Sequence, residues 1–151
     1  MREILFRGKR LGNGEWVEGY LYEYEPALVG IASENDVPEP SKWFIARTGF
    51  ADWNMPRPVE FVEIDPSTVG QYTGLKDKNG KRIFEGDVAK VLQCKDKDIA
   101  YVGFENGAFM LYPKTGNIYE RTLWSYWYND WDVEVIGNIH DNKLEDFDNG
   151  R

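Results

Sequence analysis

Cysteine and histidine are almost missing from this chain of 151 residues: there is one of each, Cys94 and His140. A single cysteine excludes an internal disulfide framework, and one cysteine with one histidine excludes a zinc site built from those ligands. Positive charge is also scarce. Lys and Arg number 18 against 26 Asp and Glu, a net charge of −8, which opposes any role that depends on neutralising a phosphate backbone. Apolar runs stay far below the ~20 residues that span a bilayer. The opening Met1-Arg2-Glu3-Ile4-Leu5-Phe6-Arg7 has none of the features of a signal peptide. Glycines Gly103, Gly107 and Gly116 are too widely spaced for a phosphate-cradling loop. The expectation is an acidic, soluble, cytoplasmic protein with no membrane segment, no metal site and no bound cofactor.

Aromatic residues, by contrast, are abundant: six Trp, nine Tyr and eight Phe, within a 42% hydrophobic fraction that can build a core. Tight-turn signals are equally plain. Asn-Gly occurs at Asn13-Gly14, Asn79-Gly80 and Asn106-Gly107, and Gly116-Asn117 follows in reverse order. Both residue types accept the positive φ that two-residue hairpins require, so these dipeptides mark hairpins where strand-like runs flank them. Such runs are present at 4–6, 16–21, 88–93, 99–104, 108–112 and 131–139.

The pattern predicts a mainly β, antiparallel chain, with α+β as the alternative, in two modules. Residues 1–68 form an N-terminal β module whose polar, proline-containing loop covers 33–42, and residues 55–58 form a second loop. Residues 69–142 form a small, strongly bent sheet resembling an SH3-like β barrel, because short strands joined by tight turns are how small barrels close. The acidic stretch 143–151 is expected to be a partly disordered tail. Within the second module the expected core is Val88, Val91, Tyr101, Phe104, Phe109, Leu111, Val133, Val135 and Ile139. These cannot share one face at strict period two, so a bulge is required, at Gly103 or Gly137. Residues 123–131 fit both a helical stripe (Leu123, Trp124, Trp127, Tyr128, Trp131) and an alternating strand (Trp124, Tyr126, Tyr128); a short helix or an irregular crossover packed on the sheet is the preferred reading, with helix and strand both left open.

Candidate chemistry is thin. Glu85 and Asp87 could pair for acid–base work or metal binding, but Glu85-Gly86-Asp87 is also what a sharp turn needs. His140 follows the last strand, where a capping role suffices. Cys94, beside Lys95 and Lys97, has no partner in sequence to make it a nucleophile. No catalytic residue is assigned. Binding chemistry is better represented. Trp43, Trp53 and the 124–131 cluster offer stacking surfaces, although small β domains also fill their cores with aromatics. Arg2, Arg7, Lys9 and Arg10 form a local basic patch. The candidate binding surface is therefore Arg2, Arg7, Lys9, Arg10, Trp124, Trp127 and Trp131.

The string from Val69 to Val88 (Val-Gly-Gln-Tyr-Thr-Gly-Leu-Lys-Asp-Lys-Asn-Gly-Lys-Arg-Ile-Phe-Glu-Gly-Asp-Val) is long and distinctive. With Phe104-Glu105-Asn106-Gly107-Ala108-Phe109, the run Glu134–Ile139, and the opening motifs at 6–10 and 14–21, it resembles the YopX family of phage and prophage proteins. That resemblance spans about residues 2–142. Asp141-Asn142-Lys143-Leu144 departs from it, lacking the Pro often found after the final strand. The resemblance implies a phage- or prophage-encoded accessory protein in a bacterial host cell and supplies no catalytic residues. Together these readings predict a non-enzyme that acts by binding an unidentified host or phage protein, or a second copy of itself. The alternative is a nucleic-acid-associated factor using the N-terminal basic patch and exposed aromatics, although the net charge makes nucleic acid a poor partner.

Overall fold

The computed structural model describes residues 3–26, 40–49, 59–93, 96–116, 118, 121–128, 132–141 and 147, with the backbone alone for 93, 96, 127 and 128. Arg2, Trp53, Cys94, Lys95 and Trp131, the 55–58 loop, residues 33–39 of the 33–42 loop and all of the 143–151 tail but Phe147 lie outside the described residues. Among those described, ten strands and one short helix form two compact units, Leu5–Val69 and Met1–Ile4 with Gly70–Arg151.

In the first unit, β1 (Phe6–Arg10), β2 (Trp16–Tyr24), β3 (Lys42–Thr48) and the leading half of β4 (Val59–Lys76) are hydrogen-bonded in that order, each antiparallel to its neighbour, and β1 also pairs with β4. The β1–β2 reversal uses Gly14 at φ 72°. Its N–H donates to the Arg10 carbonyl at 2.9 Å, and the Glu15 N–H donates to Asn13 Oδ1 at 3.1 Å. Alternation then sends Val17, Ile45, Val62 and Ile64 to one side as the buried core, with Phe6, Leu21, Trp43 and Val69 packed against it. Gly19 has to be a glycine here, since a Cβ at that position would lie 2.4 Å from the Ala46 carbonyl oxygen.

The second unit holds the trailing half of β4, β5 (Arg82–Phe84), β6 (Asp87–Gln93), β7 (Asp96–Glu105), β8 (Ala108–Pro113), β9 (Arg121–Thr122), α1 (Leu123–Tyr128) and β10 (Asp132–Asn138). β4 and β5 form a hairpin around Asn79-Gly80, and the remaining strands form an antiparallel sheet in the order β10-β6-β7-β8-β9. Asn106 (φ 51°) and Gly107 (φ 80°) turn β7 into β8. Ala89, Val91, Ala100, Val102, Leu111, Val133 and Val135 share the buried face. The helix α1 closes that face with Leu123 and Tyr126, leaving Trp124 outward. Burial pushes the Tyr126 phenol above its ordinary pKa, with Arg121 pulling down and Asp98 adding to the rise.

The SH3-like barrel is not formed. The second sheet is open, and its two edge strands, β10 and β9, do not pair with each other. The outer edge of β10 is already engaged. Lys78 N–H donates to the Val133 carbonyl at 3.0 Å, and Val135 N–H donates to Asp77 Oδ2 at 3.1 Å. β9 is only two residues long and could close nothing. The expected core also needs correction: Phe104 and Ile139 are exposed, and Tyr101 lies half-buried on the opposite face, stacked on Tyr112 with ring centroids 4.9 Å apart. The required bulge falls between Val135 and Gly137, while Gly103 stays in register with Met110.

Candidate binding surface

Along β2 the sequence Trp16-Val17-Glu18-Gly19-Tyr20-Leu21-Tyr22-Glu23-Tyr24 alternates strictly, and its odd-numbered positions through Leu21 face the core. Tyr20, Tyr22 and Tyr24 therefore stand together on the other face. Register extends that face across the sheet. Tyr20 lies opposite Ala46, Tyr22 opposite Phe44 and Tyr24 opposite Lys42; on the next strand Phe61 lies opposite Ala46 and Val59 opposite Thr48. Tyr20 is 65% and Phe61 55% exposed, and Tyr22, Tyr24 and Val59 are also exposed. Tyr22 and Phe61 meet edge to face at 5.8 Å between ring centroids. A shallow hollow of about 470 Å³ opens among Tyr22, Tyr24, Lys42, Phe44 and Phe61. Glu18 and Glu63 belong to the same face and give it acidic margins.

The N-terminal cations divide between the two faces of the sheet: register sets Arg7 opposite Glu18 and Lys9 opposite Trp16, on the side of the tyrosines. Arg7 and Lys9 project on one side of β1 and converge on the Trp16 ring, the Arg7 guanidinium carbon 4.7 Å and the Lys9 ammonium 5.4 Å from its centroid. Arg7 is only 8% exposed. Arg10 alternates to the other side, where its guanidinium lies 3.8 Å from Glu15 and 3.7 Å from Glu60. Glu60 also accepts a 2.9 Å bond from Arg47 Nε. That bond holds the Glu60 carboxyl below the usual carboxylate range, against the opposing effect of burial, with the Arg47 and Arg10 charges helping. Arg7, Lys9 and Arg10 are thus not gathered into one exposed cationic surface. Trp124 is exposed but belongs to the other compact unit, the Trp127 side chain is not described, and Arg2 and Trp131 lie outside the described residues. Trp43 packs against the core of the first unit.

The Asp87 carboxylate of the Glu85-Gly86-Asp87 turn serves structure. Gly86 adopts φ 81°, Phe84 N–H donates to the buried Asp87 Oδ2 at 2.8 Å, and the Asn138 amide reaches Asp87 Oδ1 at 3.5 Å. His140 sits in the turn after β10, its backbone N–H on Asn138 Oδ1 at 2.9 Å. Among the described residues no group of three or more His, Cys, Asp or Glu is placed to hold a metal ion. None of their helices is long and apolar enough to cross a membrane. The tyrosine face escaped sequence reasoning, although Tyr20-Leu21-Tyr22-Glu23-Tyr24 carried the signal: aromatics at period two whose intervening Leu21 is the inward residue.

Compared with known proteins, the chain matches the model of the YopX protein family over residues 6–145. The chain belongs to the YopX family. Membership in this phage-protein family is consistent with a phage or prophage accessory protein. Among solved structures, the YopX-family chain is similar to protein EF1440 from Enterococcus faecalis, at 22% identity over 94% of this chain and 96% of that one, with a TM-score of 0.46. No curated protein matches it.

Proposed function

We propose that this YopX-family protein is a non-catalytic accessory factor that works in the cytoplasm of the bacterial host by binding another protein through the β2–β4 face. The observation that carries this reading is the collection of Tyr20, Tyr22, Tyr24, Val59 and Phe61 on one exposed sheet face. Large apolar residues gathered in one exposed patch mark interaction sites, and Tyr and Phe are enriched at protein interfaces. Each tyrosine brings a broad apolar ring with a polar tip and little rotamer entropy to lose. Glu18 and Glu63 on that face, with the net charge of −8, fit a partner whose apolar centre is rimmed by Lys or Arg.

Aromatics on a sheet face can also stack nucleic-acid bases. Phosphate binding would need several cations beside the rings; Lys42 lies opposite Tyr24, but Glu18 and Glu63 share that face and Arg7 and Lys9 are directed at Trp16. A benzophenone amino acid placed at Tyr22 and irradiated in host cells tests the proposal. Discrete cross-links to a second protein are expected. Cross-links solely to nucleic acid, or solely to another copy of the chain, would overturn it.

A further inference from the structure

The second unit contains a cleft of about 660 Å³, within the ~300–1,000 Å³ typical of small-molecule sites. Three stretches build it: the β4 segment at Gln71–Leu75, the β7–β8 hairpin, and the β9–α1 junction at Thr122–Trp124. Each has its own reason to be there. Gly74, at φ 86°, lies where the β4–β5 register shifts between Tyr72 and Lys76, which bends the strand and leaves open space at its Cα. Thr73 Oγ1 donates to the Ile83 carbonyl at 2.8 Å and accepts the Leu75 N–H at 3.2 Å, fixing that wall. Opposite, Phe104 and Phe109 are held edge to face with centroids 5.0 Å apart.

Two features of the lining define what it can hold. In a chain that is 29% charged, none of the described residues that line this cleft is charged, so they offer neither a phosphate nor an ammonium group a counter-charge. Phe104 and Trp124 stand at the cleft 52% and 58% exposed, large aromatic surfaces left to water. Aromatic walls favour flat rings through stacked and edge-to-face contacts beyond simple area burial. Gln71 and Thr122 add hydrogen-bonding groups to the wall.

We propose that this cleft binds an uncharged, planar aromatic ring with hydrogen-bonding groups on its edge, such as a nucleobase or an indole. The site is independent of the β2–β4 face, so either can fail alone. The test titrates the isotope-labelled protein with adenosine, indole and decanoate separately, following amide NMR shifts. Saturable shifts with adenosine or indole at Gly74, Gly107 and Thr122 are expected, with at least a tenfold weaker dissociation constant in Trp124→Ser. Trp124 is exposed, and an otherwise unchanged amide spectrum verifies that the variant folds. Which of the two rings binds distinguishes a base from an indole. No saturable shift with either ring, equal binding by Trp124→Ser, or saturation by decanoate alone would overturn the proposal.

Discussion

The Val135 N–H donates to Asp77 Oδ2 at 3.1 Å across 58 residues of sequence, tying the turn between β4 and β5 to the outer edge of β10. The same carboxylate organises that turn, its Oδ1 accepting the Asn79 and Lys81 N–H groups at 2.9 Å each. With Lys78 N–H on the Val133 carbonyl, the turn engages the edge that another strand would otherwise pair with. Asp77→Ala leaves three backbone donors without this acceptor and should cost about 2–4 kcal/mol in urea unfolding. Asp77→Asn, which keeps one of the two acceptor oxygens, should lose less. Equal stability of Asp77→Ala and the parent would show that the turn is not held this way.

The neighbouring ion pair sets a pH dependence. Lys78 Nζ lies 2.7 Å from Glu134 Oε2. That hydrogen bond and the Lys78 charge lower the Glu134 pKa from 4.5, and the Glu134 bond raises Lys78 above 10.5. A depressed carboxylate stabilises the fold fully above its unfolded value and loses that contribution as pH falls through the folded one. The raised Lys78 value does the reverse: its contribution is complete below 10.5 and disappears as pH climbs past the folded value. Chemical denaturation of Glu134→Gln beside the parent should show a small stability gap at pH 6 that closes in acid below 4.5. A gap that widens in acid would contradict the pairing.

Glycines supply a second comparison. At Gly19 the added methyl of Gly19→Ala meets the Ala46 backbone, which cannot move without breaking the β2–β3 ladder, so a loss of about 3 kcal/mol is expected. Gly12→Ala has nothing within 4 Å of its new carbon and should be nearly neutral. Thermal unfolding of the two variants should rank them in that order.

Two positions on one face of the β7–β8 hairpin, one under the covering layer and one beyond it, should differ likewise. Leu111 is fully buried, so Leu111→Ala should cost about 2–5 kcal/mol. Phe104→Ala removes a mostly exposed ring and one edge-to-face contact, about 0.5–1.5 kcal/mol. Near-equal losses on denaturant unfolding would mean that the burial assignment is wrong.

Turns were the most legible part of the sequence. Asn13-Gly14, Asn79-Gly80 and Asn106-Gly107 each mark a reversal, because their φ requirements are local and few residues meet them. The need for a bulge, at Gly103 or Gly137, was legible from the misfit between alternation and the apolar residues around it, whereas the spacing at 123–131 fitted helix and strand alike. The open edge of the second sheet was not legible. It depends on Asp77 meeting Val135, a contact between distant residues that no periodicity encodes. Phe104 and Ile139 look like core residues to any pattern of apolar positions, since alternation gives a side but not how far the covering layer extends. The basic patch was read from proximity in sequence, whereas period two sends Arg7 and Lys9 to Trp16 and Arg10 to Glu15 and Glu60. The tyrosine face was present as alternation in β2 but does not stand out in the sequence, because an aromatic is apolar enough for either side.

The most direct test of the proposed binding role is a quantitative affinity pull-down from phage-induced host cells, comparing the parent with Tyr20→Ser/Tyr22→Ser/Phe61→Ser and with Trp124→Ser. All four side chains are exposed, so both variants should fold, which circular dichroism and unchanged cooperative unfolding verify. The expected result is a specific protein retained by the parent and by Trp124→Ser at equal abundance and depleted at least tenfold by the β2–β4 face variant. Equal retention by the face variant would contradict the account.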